Sequence, residues 1–208
     1  MQILIADDHA VVRRGLSQIL LEEFASARIE EVDNSEDLIR KAMDGRWDVI
    51  ISDLSMPGRS GLDALVQLKE LLPDTPVLIM SIHPEDHYAI RALKAGAAGY
   101  LTKATAPKEL VKAVRLVLEG RRYISASTAE KLASAVIQER DKLPHEYLSN
   151  REFDVLKLLA AGIPVSEIAG QLSLSITTIS TYRARIMSKM KIRTNAELTI
   201  YAMNNHLL

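Results

Sequence analysis

Five short apolar runs, each followed by an amphipathic helical pattern, fill the first 120 residues, and this alternation limits the possible folds more than any other feature. The runs are residues 2–6, 28–32, 49–53, 77–80 and 99–101. The helical patterns fall at about 9–21, 35–44, 62–71, 86–95 and 107–119. Near-continuous apolar strands suit a parallel sheet whose two faces are covered by helices. The predicted class for this half is α/β: a doubly wound (βα)5 domain, residues 1–120.

In such flavodoxin-like sheets, ligands bind beyond the carboxyl ends of the strands. Asp7 and Asp8 end the first run, Asp53 ends the third, Ser81 follows the fourth and Lys103 follows the fifth. Three carboxylates at adjacent strand ends repel one another unless a cation neutralises them. All-oxygen ligation favours a hard ion such as Mg²⁺. A lysine opposite can stabilise charge on a transferring phosphoryl group, and a serine hydroxyl can bond its oxygens. That set supports attack by a carboxylate on phosphorus to give an acyl phosphate. Singly, each residue has a plainer reading: Asp8 could cap the first helix, Lys103 could lie on the surface, and Ser81 could belong to a turn. Their joint position at the ends of four strands favours the chemical reading.

The second half follows another pattern. Residues 1–120 carry 14 bases against 19 acids, residues 121–208 carry 12 against 8, and residues 173–195 hold five bases and no acid. This asymmetry points to two domains with different partners. Residues 121–142 read as a partly helical linker, with one helix over 128–139 and a break at Asp141-Lys142-Leu143-Pro144. The remainder, 143–208, reads as all-helical. Ser149 and Glu152 have capping-box spacing and open a helix that runs to Ala161 and stops at Gly162. Further helices are expected at 165–172, at 176–190 behind the cap Ser175, and from the cap Asn195 to about 204. Helix–short turn–helix, over about 165–184, can place its second helix in a major groove. On that helix Ile179, Ile186 and Met190 share an inward face with Tyr182 at its edge, while Ser180, Thr181, Ala184, Arg185 and Ser188 lie opposite. A solvated basic helix is the plainer alternative.

Zero cysteines exclude disulfides, thiolate metal sites and cysteine nucleophiles. No apolar run approaches the roughly 18 residues of a membrane span, and the N-terminus lacks the regions of a signal peptide. These features suit a cytoplasmic protein with no membrane partner. The histidines at 9, 83, 87, 145 and 206 have no metal-ligand spacing; His9 is expected at the rim of the acidic pocket.

The segments Ala6-Asp7-Asp8-His9, Ser52-Asp53-Leu54-Ser55-Met56-Pro57-Gly58, Ser81 and Gly96-Ala97-Ala98-Gly99-Tyr100-Leu101-Thr102-Lys103 resemble the receiver domains of NarL/FixJ-family two-component response regulators. The resemblance implies phosphorylation of Asp53 by a sensor histidine kinase. It implies Mg²⁺ held by Asp7, Asp8, Asp53 and the Ser55 carbonyl, with Asp8 the more direct ligand and Asp7 acting through water. Ser81 and Lys103 would contact the phosphoryl group, and Tyr100 would follow the movement of Ser81. The family often has proline after the lysine, joined by a cis bond, where Ala104 stands here.

Leu148-Ser149-Asn150-Arg151-Glu152, Glu167-Ile168-Ala169, Thr178-Ile179-Ser180 and Lys189-Met190 resemble the LuxR-type helix-turn-helix domain. That implies binding of double-stranded DNA, with Ser180, Thr181 and Ala184 facing bases and Arg183, Arg185 and Lys189 near phosphates. Tyr182 and Arg183 depart from the common histidine and apolar residue. Together the resemblances imply a transcription regulator that forms a homodimer when phosphorylated and is not a turnover enzyme. Two rivals remain. An aspartyl-phosphate phosphatase commonly has a second Asp two residues after the nucleophile, where Ser55 stands. A receiver that works without phosphate would not need the complete pocket.

Overall fold

A computed structural model describes residues 1–56, 61–82, 85–130 and 143–208, with the side chains of 85–87 excepted. Pro57, Gly58, His83, the side chain of His87, the greater part of the helix expected at 128–139 and the break at Asp141-Lys142 lie outside the described residues. The chain divides into two compact units, Met1–Gln138 and Glu139–Leu208.

The first unit holds five parallel strands: β1 (Gln2–Ala6), β2 (Arg28–Val32), β3 (Val49–Asp53), β4 (Val77–Ser81) and β5 (Gly99–Thr102). Helices α1 (Ala10–Glu23), α2 (Ser35–Asp44), α3 (Gly61–Leu71), α4 (Glu85–Lys94) and α5 (Ala106–Leu118) follow them in alternation. The sheet order is β2-β1-β3-β4-β5, which reverses direction beside β1 and opens the crevice of a doubly wound sheet there. Ile3 pairs with Val49, Ile51 with Leu78 and Met80 with Leu101. All of these side chains are buried, each removing roughly 1.5–3 kcal/mol of apolar surface from water. β2 departs from the near-continuous apolar pattern because it is an edge strand. Its Glu30 pairs with Lys41 of α2, and its Glu31 meets Arg13 and Ser17 of α1.

After α5 the chain turns back toward the sheet. Tyr123 forms a parallel bridge with Gly99, its amide donates to the Ala98 carbonyl, and its ring is buried in the core beside α5. A Cβ on Gly99 would sit 2.8 Å from the Tyr123 carbonyl oxygen, so the close approach requires glycine there. The segment read as linker therefore begins as part of the first unit's packing. Residues 126–130 are helical.

The second unit contains a 3-10 turn over Pro144–Tyr147 and helices α6 (Asn150–Ala160), α7 (Val165–Gln171), α8 (Ile176–Met190) and α9 (Asn195–Asn204). Ser149 and Glu152 form the reciprocal capping box at the start of α6, and Gly162, at φ 81°, follows its end. Ser175 caps α8 by accepting from the Thr178 amide. The cap of α9 is Thr194, whose hydroxyl accepts from the Glu197 amide. Asn195, expected in that role, is instead the first helical residue. Phe153, Leu156, Ile168, Ile179, Ile186 and Leu198 make the core of this unit. No helix among the described residues is long and apolar enough to cross a membrane.

Candidate functional site

The carboxyl ends of the central strands bring the acids together. Asp7 is fully buried directly after β1, and Asp53, 1% exposed, closes β3. Lys103 enters from the loop after β5, and its Nζ stands 2.7 Å from Asp7 Oδ2 and 2.7 Å from Asp53 Oδ2. It donates a hydrogen bond to Asp53. Its ammonium also pairs with Asp7 Oδ2 at the same distance, so one cation is shared by two buried carboxylates. Burial pushes the Asp53 carboxyl above its ordinary range, and repulsion from Asp7 adds to this, against the pull of Lys103 and the Ser55 amide. For Lys103, burial favours loss of the proton, but the two carboxylates outweigh it and raise the ammonium's pKa.

Backbone contacts hold these side chains in place. The Ser55 amide donates to Asp53 Oδ1 at 3.3 Å, and the Lys103 amide donates to the carbonyl of Ser81 at 2.8 Å. Ser81 is buried as the last residue of β4, and Tyr100 is buried on β5. Arg13 donates to the Asp7 carbonyl at 2.6 Å and steadies the turn from β1 into α1. Asp8 does not cap α1. The cap position belongs to His9, which makes no side-chain cap. No peptide among the described residues is cis, so the link from Lys103 to Ala104 is trans, and Lys103 still reaches both acids.

His9 stands at the rim of the pocket, 63% exposed, and also offers a ring nitrogen to the acidic cluster. Its Nδ1 lies 2.6 Å from Asp8 Oδ1 and 3.3 Å from Asp7 Oδ1. One donor atom from each of Asp7, Asp8, His9 and Asp53 falls within a sphere of contacts no wider than 4.8 Å. The sequence signal for this was adjacency to the acid pair. A cleft that gathers three carboxylates against a single lysine is compatible with Mg²⁺, which takes oxygen donors and retains waters.

In the second unit, α8 buries Ile179, Ile186 and Met190 and exposes Ser180, Thr181, Ala184, Arg185 and Ser188. The turn before it places Ser173 in the left-handed region, at φ 53°, and closes with a bond from the Leu174 amide to the Ala169 carbonyl. Ser180 and Thr181 donate back to carbonyls one helical turn earlier, which leaves their oxygens free to accept. Two of the bases expected near phosphate have partners within the unit. Arg183 Nε donates to Asn195 Oδ1 at 2.9 Å, and Lys189 Nζ donates to Glu152 Oε2 at 2.6 Å. Burial pushes the Glu152 carboxyl up, but the bonds from Lys189 and Ser149 outweigh it and hold the pKa low.

Comparison with known proteins adds independent findings. Residues 3–115 match the response regulator receiver domain, and residues 146–202 match the luxR family of bacterial regulatory proteins. The chain is 35% identical over 208 residues to the response regulator UvrY of Escherichia coli strain K12, covering all of this chain and 95% of UvrY. It is 35% identical over 209 residues to the response regulator GacA of Pseudomonas viridiflava, covering all of this chain and 98% of GacA. Among solved structures it resembles RcsB of Salmonella enterica serovar Typhimurium, bound to the promoter rprA with the phosphomimetic BeF3−. The TM-score is 0.66 at 29% identity, over 97% of this chain and 98% of that one. The strand order, the pocket at its crevice, the all-helical character of the described part of the second unit and these matches over the full length agree: the chain belongs to the NarL/FixJ family of two-component response regulators, with a receiver domain followed by a LuxR-type helix-turn-helix domain.

Proposed function

We propose that Asp53 accepts a phosphoryl group from the phosphohistidine of a sensor kinase and that this event controls binding of the α8 face to specific double-stranded DNA, regulating transcription. The observation that carries the reading is the buried ammonium of Lys103 held between Asp53 and Asp7. An Asp53 oxygen forms the bond to phosphorus while the phosphorus–nitrogen bond breaks, and the departing imidazole keeps the electron pair and takes a proton. Lys103 pairs with the incoming phosphoryl oxygens, and the Ser81 hydroxyl donates to them. Tyr100 follows Ser81 and carries the change to the surface around α4. Asp8, Asp53 and the Ser55 carbonyl would hold Mg²⁺, with Asp7 acting through water, and the bound ion would supply neutralising charge for the transferring group. Hydrolysis of the acyl phosphate is slow because Ser55 offers no acid or base where phosphatases place a second aspartate.

On DNA, Ser180, Thr181 and Ala184 face base edges, and Arg185 meets phosphate, with Arg183 and Lys189 flanking it. The likeness to RcsB, bound to a promoter in the presence of a phosphomimetic, supports this assignment. Phosphorylation favours a homodimer on paired half-sites in the cytoplasm. A tenfold to hundredfold gain in DNA affinity needs only about 1.4–2.7 kcal/mol of coupling. Acetyl phosphate with Mg²⁺ should put an acid-labile phosphoryl group on the wild type and none on Asp53→Asn; retained labelling would move the site elsewhere.

A further inference from the structure

Lys189 sits in the last turn of α8, the helix that carries the exposed Ser180–Thr181–Ala184 surface. Its side chain is partly exposed, yet its ammonium has a partner within the unit. It donates at 2.6 Å to Glu152 Oε2, and the Glu152 side chain is only 4% exposed, against 43% for Lys189. The same oxygen accepts from the Ser149 amide at 2.8 Å, so it belongs to the cap of α6. The buried side chains of α8 are apolar, Ile179, Ile186 and Met190, and near its middle Arg183 Nε donates to Asn195 Oδ1 of α9. Apolar packing holds the rotation of a helix about its axis by shape complementarity alone. A directional charged bond at the helix end fixes that rotation. Moving Lys189 onto a phosphate would leave the Glu152 carboxylate buried without its countercharge, an expensive state.

We infer that Lys189 is a positioning residue for DNA recognition: by gripping Glu152 it sets the rotation of α8, and with it the base-facing side chains, rather than neutralising a phosphate. The inference rests on the DNA-binding reading above and refines the part Lys189 plays in it. Salt-linked phosphate contact then falls to exposed bases such as Arg185, Lys191 and Arg193.

The two roles predict opposite responses. A phosphate contact weakens binding to all sequences alike when lost, and it lowers the salt slope by about 0.9 per contact. A positioning residue lowers discrimination between sequences and leaves the slope alone. The test uses full-length protein and two duplexes, one selected by the wild type from random DNA and one unselected, each titrated across salt. The variants are Glu152→Gln, Lys189→Met, the double variant, and Arg185→Ala for comparison. Glu152→Gln keeps the capping geometry and removes only the charge.

Glu152→Gln and Lys189→Met should each weaken binding to the selected duplex about tenfold and to the unselected one less than about twofold, with unchanged slopes. The double variant should be no weaker than Lys189→Met alone, and Arg185→Ala should lower the slope. Tighter binding by Glu152→Gln, a slope reduced in Lys189→Met, equal losses on both duplexes, or no loss at all would each overturn the inference. Partial unfolding cannot imitate the expected result, because the ratio between duplexes and the slope do not depend on the active fraction. If the wild type bound neither duplex, the DNA-binding reading would fall first and take this inference with it.

Discussion

Asp53 and Glu152 are both almost removed from solvent, and each has a lysine ammonium within 2.7 Å, yet burial governs one and its partners govern the other. The Asp53 carboxyl is raised chiefly by burial, with repulsion from Asp7 added, and Lys103, which also meets Asp7, does not offset the two. The Glu152 carboxyl is lowered because Lys189 and the Ser149 amide serve it alone. The distance to a countercharge does not decide the outcome. What decides it is whether burial outweighs the bonds that the carboxylate receives, as it does at Asp53 and not at Glu152. The receiver pocket is left with surplus negative charge that a cation or a phosphoryl transfer can use. The capping site in the helical unit is balanced and closed, which suits a structural part.

Removing each lysine tests this contrast most strongly. In chelator, Lys103→Met should destabilise the receiver by about 3–5 kcal/mol, because it strands two buried carboxylates. Lys189→Met should cost the helical unit only about 1–2 kcal/mol, since that lysine is partly solvated. Urea unfolding separates the two, because Trp47, the single tryptophan, reports on the receiver alone. The reverse ranking would break the comparison. Neutralising the acids should act with opposite signs. At neutral pH without metal, Asp53→Asn should stabilise the receiver and Glu152→Gln destabilise the helical unit, each by about 1 kcal/mol in thermal unfolding.

The pH dependence follows the same signs. Glu152 has a folded pKa below its ordinary 4.5, so its contribution is present above that value and is lost as pH falls through the folded value. The advantage of wild type over Glu152→Gln should therefore vanish on acidification. Asp53 has a folded pKa above 3.8, so its ionisation costs stability as pH rises from there through the folded value. Midpoints measured across acid pH for wild type and each variant check both. The smallest effect separates the lysine from the cap: Ser149→Ala should cost about 0.5–1 kcal/mol and weaken but not abolish the acid dependence from Glu152, because the Lys189 bond and the backbone amide of residue 149 remain.

The sequence made some of these features readable and hid others for physical reasons. β1, β2 and β3 fall where the apolar runs placed them, and Asp7, Asp8, Asp53 and Lys103 gather because strand ends in a parallel sheet share one edge. The Ser149–Glu152 box is a local pattern and was legible as one. The partner of Lys189 lies 37 residues away, and no periodicity encodes that meeting. Neither does spacing reveal that Lys103 must divide itself between two acids, or that His9 turns toward Asp8. Thr194 takes the cap, although either side chain can cap, and the Asn195 oxygen accepts from Arg183 instead.

The bridge from Tyr123 to Gly99 bears on where the receiver can be cut. β5 lies at the border of the sheet, and its outer side carries backbone groups that another chain's strand could pair with. Tyr123 covers part of that border. A receiver trimmed at Gly120 would be both short of a core side chain and open to self-association, whereas one retaining the residues through Thr128 would keep its own guard.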